Sequence, residues 1–391
     1  MGYAVGQFND SFPPLMDGVA LVMWNYARWL NQSFGKCYAV VPDIPGTRGG
    51  SEARCDFPVL RYRSMPLFFR YPYRIGLPWI DRPFLRELHD LELDLVHSHN
   101  PFSAGVIARS YARKHGAPIV ATFHSTIHKF VDGLLHSQKA TRMIVGKVVD
   151  YYESVDSVWV SSKSTRDILK SYGYSREPEV IPHGTDLTPP RDAEAAAVAG
   201  DGVLGTAAAD HVLLYVGFLS REKNLGFLIR ALGQVKRMGI PFKMFLVGEG
   251  YARPELEKLA RDLGLSDRLR FLGLIRDRRR LELCYARADL FTFPSTNETY
   301  SMVLREAAAF GVPSVVLEGT TAADVITDSR NGFVTEERVD AYAEKIAFLL
   351  THPEEVEKAG RAAFQTLYTP WEAVMEKVAR LYTGLIARGR T

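Results

Sequence analysis

An α/β fold made of two parallel-sheet domains is predicted by three observations. Short apolar runs alternate with helical patterns through both halves of the chain, the alternation restarts after a stretch rich in Ala, Gly, Pro and Asp, and 391 residues exceed what one usual hydrophobic core serves. In the first half the order is YAVGQF, GVALVMWNYARWLNQSFG, KCYAVVP, LDLVHSHN, SAGVIARSYARKHG, PIVATFHS and SVWVSS. Strands alternating with helices imply right-handed crossovers and so a parallel, Rossmann-like sheet. The stretch TPPRDAEAAAVAGDGVLGTAAADH shows no sustained apolar stripe and reads as a linker. The pattern resumes at VLLYVGF and runs through KMFLVGEG, LRFLGLI, ADLFTFPS and PSVVLEG, with no repeat short enough for a solenoid. The expected organisation is a first Rossmann-like domain over residues 1–186, a linker over 187–210, a second such domain over 211–370 and a C-terminal helix over 371–391. In that helix Trp371, Val374, Val378, Leu381 and Leu385 fall near helical spacing. Two similar domains facing each other across a cleft are the architecture this order implies.

Composition narrows the class. Hydrophobic residues at 47% and charged residues at 24% are ordinary globular usage, which excludes disordered and fibrous classes. A net charge of +3, from 48 Lys+Arg against 45 Asp+Glu, is too small to argue for nucleic acid as a partner. Cys37, Cys55 and Cys284 are odd in number and too scattered for a zinc pattern, as expected of reduced thiols. GYAVGQFNDSFPPLMDGV has no cationic leader with an apolar core, and no apolar run reaches spanning length, so a cytoplasmic location is expected. One patch is unusual. Residues 57–86 hold Arg61, Arg63, Arg70, Arg74, Arg82 and Arg86 against Asp81 alone, interleaved with Phe57, Tyr62, Phe68, Phe69, Tyr71, Tyr73, Trp79 and Phe84. Such a patch either touches anionic lipid, placing the chain peripherally at the inner membrane surface, or packs its aromatics beneath solvated arginines.

Glu298 and Glu306 stand at Glu-x7-Glu spacing in NETYSMVLREAAAFGVPSVV. If the residues between them are helical, the carboxylates lie roughly 12 Å apart at about 1.5 Å per residue. Carboxylate pairs that flank a single glycosidic bond lie roughly 5–9.5 Å apart, so these two are spaced to hold opposite ends of one long ligand. Strand, carboxylate loop, helix, Gly311-Val312-Pro313 and strand make a βαβ unit, whose ligand belongs at the carboxyl edge of the sheet. The alternative is an amphipathic helix with a solvated glutamate at each end.

ETYSMVLREAAAFGVPSVV, preceded by YVGFLSREKNLGFLIRAL, FLVGEGYARPEL and VIPHGTDL, resembles the retaining glycosyltransferases of family 4, which have the GT-B fold. The likeness spans nearly the whole chain, and FNDSFPPLMDGV is closer to diacylglycerol glycosyltransferases than to sucrose or starch enzymes. The resemblance implies a hexosyltransferase that takes a nucleoside-diphosphate sugar as donor and a lipid or saccharide as acceptor, with retention at the anomeric carbon and with neither cofactor nor metal. The absence of any Asp-x-Asp agrees with this. A phosphorylase using the same cleft and a non-catalytic nucleotide-sugar-binding protein are the alternatives.

Site residues follow from the resemblance position by position. Lys223, beside a helix start near Asn224, would contact the donor diphosphate, aided by the free N–H groups and positive dipole end of that helix. Relatives carry arginine where this chain has Phe218, so Arg221 is expected to substitute, its alternative being a solvated helix start. Gly217, Gly248 and Gly250 at strand ends would let backbone approach the nucleotide, although no third glycine completes a dinucleotide fingerprint. Glu306 would accept from ribose hydroxyls and Glu298 would lie beside hydroxyls of the transferred sugar. Ser301 stands where relatives commonly carry glycine. Thr320 and Thr321 offer hydroxyls at another strand end, or form an ordinary turn. On the acceptor side Gly18 supplies close approach, and Asp17 either caps the first helix or meets an acceptor hydroxyl. His124 matches the histidine that relatives place near the reacting sugar, and its alternative is a structural role at a strand end. A metal site from His97, His99, His124 and His128 is also conceivable, but no carboxylate or cysteine completes a zinc pattern.

Overall fold

The computed structural model describes residues 2–13, 15, 17–44, 55–67, 74–124, 138–296, 298 and 300–389. Pro14, Met16, Phe68, Phe69, Arg70, Tyr71, Tyr73 and His128 lie outside the described residues. The chain divides into two compact units, one of residues 1–183 with 371–391 and one of residues 184–370.

The first unit runs β1 (Tyr3–Phe8), α1 (Gly18–Ser33), β2 (Gly35–Pro42), β3 (Val59–Tyr62), β4 (Ser64–Pro66), β5 (Arg74–Gly76), α2 (Arg82–His89), β6 (Leu95–Ser98), α3 (Ser103–His115), β7 (Ile119–Phe123), α4 (Gln138–Glu153), β8 (Ser157–Val160), α5 (Lys163–Ser171) and β9 (Glu179–Val180). Its seven-stranded sheet has the order β3-β2-β1-β6-β7-β8-β9, with every pair parallel. β6 and β7 are buried at every position. Helices on both faces of a parallel sheet leave no polar side, which is why IVATF is continuously apolar instead of alternating. β4 and β5 form a separate antiparallel pair inside the arginine and aromatic patch.

The second unit runs α6 (Ala193–Leu204), β10 (Val212–Val216), α7 (Leu225–Arg237), β11 (Lys243–Val247), α8 (Arg253–Asp262), β12 (Leu269–Gly273), α9 (Arg278–Arg287), β13 (Leu290–Phe293), α10 (Met302–Ala309), β14 (Ser314–Leu317), β15 (Phe333–Thr335), α11 (Val339–Thr351) and α12 (Pro353–Leu367). Its parallel sheet has the order β12-β11-β10-β13-β14-β15, the doubly wound Rossmann arrangement in which strand order reverses beside the first strand.

Residues 187–210 differ from the linker expected of them. They contain α6, N-capped by Asp192 through its bond to the Ala195 N–H and closed by Gly205 at φ 69°. α6 packs on α9, and a Cβ on Gly200 would strike the Leu283 carbonyl and the Arg287 side chain. The buried Arg287 guanidinium bonds Asp201 at 2.5 Å and donates to the Ala207 and Asp210 carbonyls at 2.9 and 2.7 Å. The small residues that read as flexible therefore permit a close helix crossing, which an apolar-stripe criterion overlooks.

The C-terminal helix α13 (Trp371–Gly389) belongs with the first unit. Its buried side is Trp371, Val374, Met375, Val378, Tyr382 and Ile386, while Leu381 and Leu385 are only partly buried, so the apolar stripe is rotated toward an aromatic that the spacing reading passed over.

Candidate functional site

In a doubly wound sheet, ligands bind beyond the carboxyl ends of the strands where the order reverses. In the second unit that place is the end of β10 beside β13. β10 leads through Gly217 and Phe218 into a 3-10 turn, Arg221–Lys223, then Asn224 at φ 55° and α7. β13 leads to Ser295 and Glu298. The two loops are joined by an ion pair between the Lys223 ammonium and the Glu298 carboxylate, whose side chains are 22% and 13% exposed. Ser295 Oγ donates to the same carboxylate oxygen at 2.8 Å, and the Thr321 hydroxyl, beyond β14, donates to the Glu298 carbonyl at 2.7 Å. Three strand ends thus converge on Glu298. A pair this sheltered is rigid only while both charges remain, because removing one leaves the other poorly solvated.

Gly248 and Gly250 have a packing task in this loop pair. A Cβ on Gly248, at φ 136°, would meet the Gly217 carbonyl, and one on Gly250 would meet the Leu219 backbone. Gly217 N–H donates to the Val247 carbonyl at 3.0 Å and Leu219 N–H to the Glu249 carbonyl at 2.9 Å. Gly248 and Gly250 therefore let the loops after β10 and β11 lie against each other, which sets the position of the turn that carries Lys223.

Arg221 is not brought into the cluster. Its guanidinium is bonded to Glu255 at 3.2 Å with its side chain 77% exposed, and Phe218 is exposed beside Tyr251. Nothing in this geometry makes Arg221 a substitute for the missing arginine. Thr320 is occupied in its own turn, donating to the Leu317 carbonyl at 2.7 Å.

Glu306 is buried on α10 and accepts from Tyr285 Oη at 2.8 Å. Burial raises its carboxyl above the usual range, partly offset by Arg278 and by the Tyr285 hydrogen bond. α10 starts only at Met302, with Tyr300 and Ser301 outside the helix, so the separation of roughly 12 Å that assumed a continuous helix does not apply. Ser301 adopts the left-handed conformation at φ 54°, and its buried hydroxyl has no hydrogen-bond partner among the described residues. Arg305, between the two glutamates, stacks 3.8 Å over the Tyr300 ring and donates to the Tyr300 carbonyl at 3.0 Å, which holds this turn. No spacing signal in the sequence marks Arg305 or Tyr285, since each is recruited by packing.

In the first unit the corresponding reversal lies between β1 and β6. Asp17 caps α1, accepting from the Ala20 N–H at 2.8 Å and from Ser11 Oγ at 3.0 Å, so the capping alternative describes it. Gly18 is exposed with open space where a Cβ would stand. His124, beyond β7, is the end of a buried column. His97 stacks on His99 at 4.4 Å, His99 on His124 at 5.4 Å, and His183 lies 5.2 Å from His124. Burial lowers the basicity of all three of the first group, His124 to about 3, so they are neutral. His97 bonds to Thr122 and Tyr382, His99 bonds to Gln7 and His124, and among the described residues no group of His, Cys, Asp or Glu is disposed to hold a metal ion. Gln7 escaped the sequence reading, although a lone glutamine in the buried run YAVGQF is the kind of signal that marks a polar network. No helix among the described residues is long and apolar enough to cross a membrane.

Two Rossmann-like units, the second with charged side chains gathered at its strand-order reversal, define an α/β protein of the GT-B type. Residues 16–189 match the model of Glycosyltransferase Family 4 and residues 202–366 that of Glycosyl transferases group 1, and the chain belongs to the family 4 glycosyltransferases. It is 25% identical to an alpha-monoglucosyldiacylglycerol synthase of Acholeplasma laidlawii, over 84% of this chain and 83% of that one. Among solved structures it is similar to a sucrose-phosphate synthase from Thermosynechococcus elongatus, with TM-score 0.79 and 20% identity over 99% of this chain and 100% of that one. It is also similar to Anabaena Alr3699/HepE in complex with UDP and glucose, with TM-score 0.75 and 19% identity over 98% of this chain and 100% of that one.

Proposed function

We propose that this glycosyltransferase moves a hexose from a nucleoside-diphosphate sugar to a lipid or saccharide acceptor, with retention at the anomeric carbon and without a metal ion. The observation that carries the reading is the convergence of Lys223, Ser295, Thr321 and the Glu298 backbone and carboxylate at the carboxyl edge of β10, β13 and β14. Diphosphate oxygens would take the Lys223 ammonium from Glu298, freeing that carboxylate to accept from sugar hydroxyls. Glu306 would accept from the ribose. The bond between the anomeric carbon and the phosphate oxygen breaks as the bond to the acceptor oxygen forms on the same face. The acceptor proton passes to the departing phosphate oxygen, so no protein nucleophile is needed. A glycolipid-forming relative and a neighbour solved with UDP and glucose support this donor and acceptor class.

The test is a thermal-shift screen of nucleoside-diphosphate sugars, since a true donor stabilises the folded state by mass action, followed by NMR of the product formed in EDTA. Retained configuration and activity in EDTA are expected. Inverted product rejects the mechanism, loss of turnover in EDTA rejects metal independence, and phosphate-dependent cleavage of a disaccharide indicates a phosphorylase. Donor binding with no turnover, unchanged in Glu298→Ala, indicates a sensor.

One surface favours a lipid acceptor reached at a membrane. Phe57, Tyr62 and Phe84 of the arginine and aromatic patch are core residues. Trp79 and Ile80 are each 54% exposed, as are the cross-strand partners Met65 and Ile75 at 45% and 42%. Arg63, Arg82 and Arg86 are exposed beside them in sequence. Apolar side chains among cations suit an anionic bilayer surface, and this would hold the enzyme peripherally at the cytoplasmic face. Co-sedimentation with anionic vesicles should be strong at low salt and fall at least tenfold in Trp79→Ser/Ile80→Ser. Equal binding by that variant removes the surface from the proposal.

A further inference from the structure

The buried histidine column contains more than stacked rings, because a single amide ties it together. Gln7, on β1, has its Nε2 3.1 Å from Tyr382 Oη on α13 and its Oε1 2.7 Å from His99 Nε2. Tyr382 Oη is also 2.5 Å from His97 Nδ1, His97 Nε2 is 2.7 Å from Thr122 Oγ1, and His99 Nδ1 is 3.2 Å from His124 Nε2. All of these groups are buried, and burial keeps the three imidazoles neutral, so each ring carries one proton and one lone pair.

We infer that Gln7 and Tyr382 are positioning residues that fix His124 as the Nε2–H tautomer, so that its Nδ1 lone pair accepts a hydrogen bond from a substrate hydroxyl. The assignment follows link by link. Gln7 Nε2 donates to Tyr382 Oη, so the tyrosine proton is donated to His97 Nδ1, and His97 must donate from Nε2 to Thr122. Gln7 Oε1 can only accept, so His99 carries its proton on Nε2 and offers a lone pair at Nδ1. His124 then donates from Nε2 to that lone pair, which leaves its Nδ1 as an acceptor. A histidine in this state accepts from a hydroxyl without a charge of its own. It does not serve as a cationic acid. The aromatic side of α13 is thereby part of the reaction machinery, although Tyr382 touches no substrate.

The inference deepens the proposed reaction and rests on it only for the use made of His124. The tautomer itself is measurable without substrate. In the full chain with 15N-labelled histidine, long-range 1H–15N correlations should show His99 and His124 protonated at Nε2 and bare at Nδ1. Gln7→Leu removes the acceptor, and Tyr382→Phe removes the group that orients the amide. Each should give mixed tautomers at His99 and His124 and lower kcat about tenfold, with donor KM changed less than twofold. Gln7→Glu, which still accepts from His99, should restore the wild-type tautomer at His124 and most of kcat. Protonation of wild-type His124 at Nδ1, the pattern expected if the Gln7 amide were turned over, overturns the inference. So do wild-type tautomers in both Gln7→Leu and Tyr382→Phe. If the tautomers are as assigned but no donor is turned over, the proposed reaction fails while the assignment stands.

Discussion

At the scale of single residues, Ser301 and Glu306 show stability set against the site. Ser301 holds a left-handed backbone at φ 54° with a buried hydroxyl that has no hydrogen-bond partner among the described residues. Glycine adopts that conformation freely, so Ser301→Gly should raise stability by about 1 kcal/mol, read as a higher urea midpoint at unchanged slope. A smaller gain would mean that the hydroxyl is satisfied in solution. Glu306 has a folded-state pKa raised by burial, so its carboxyl favours folding only below the usual carboxylate range, and that contribution is lost as pH rises through the raised value. At neutral pH the buried carboxylate is a cost. Glu306→Gln should therefore raise Tm at pH 7 by roughly 2–4 °C for each kcal/mol relieved. It should also weaken nucleotide binding about tenfold, the loss of one charged hydrogen bond. Opposite signs for stability and binding mark a ligand contact, whereas a purely structural carboxylate would move only Tm.

At the scale of elements, the turn Arg221–Lys223 separates two cations that sequence alone treats as alternatives. Lys223 is paired with Glu298 in a sheltered place, and Arg221 is paired with Glu255 in solvent. Lys223→Ala should lower kcat/KM about 100-fold, the usual consequence of removing one group that stabilises developing charge. Arg221→Ala should change it less than about threefold, because an exposed ion pair contributes little. Equal losses in steady-state kinetics would place both on the diphosphate. Gly248 and Gly250 lie at strand ends, where nucleotide-binding glycines are sought, yet their missing side chains make room for a neighbouring loop.

At the scale of the whole molecule, all five tryptophans, Trp24, Trp29, Trp79, Trp159 and Trp371, fall in the first unit, so fluorescence reports its unfolding selectively. His97, His99 and His124 are held below the ordinary imidazole value of 6.5, so the unfolded chain binds protons that the folded unit does not. Stability of this unit should therefore be complete above pH 6.5 and be lost as pH falls toward 3, by up to about 4 kcal/mol per pH unit for three such groups. Urea titrations followed by tryptophan emission at pH 7, 6 and 5 check the slope, and a flat response would show that the column is protonated or wet. Removing α13 should lower this transition by several kcal/mol, since Trp371, Val374, Met375, Val378, Tyr382 and Ile386 leave the core, as for multiple large-to-small core losses. A separate calorimetric transition for residues 184–370 should persist.

The sequence by itself determined the alternation of strands and helices, the two parallel sheets, and the placing of Lys223, Glu298 and His124 just beyond strand ends, because each is written in local periodicity or spacing. Tertiary structure alone decided which of two neighbouring cations meets Glu298, that a small-residue stretch is a packed helix, and that Gln7 and Tyr382, separated by 375 positions, share one hydrogen-bond network around the histidines. Those facts depend on side chains brought together from distant parts of the chain, and neither composition nor spacing encodes a distance between residues that only folding makes neighbours.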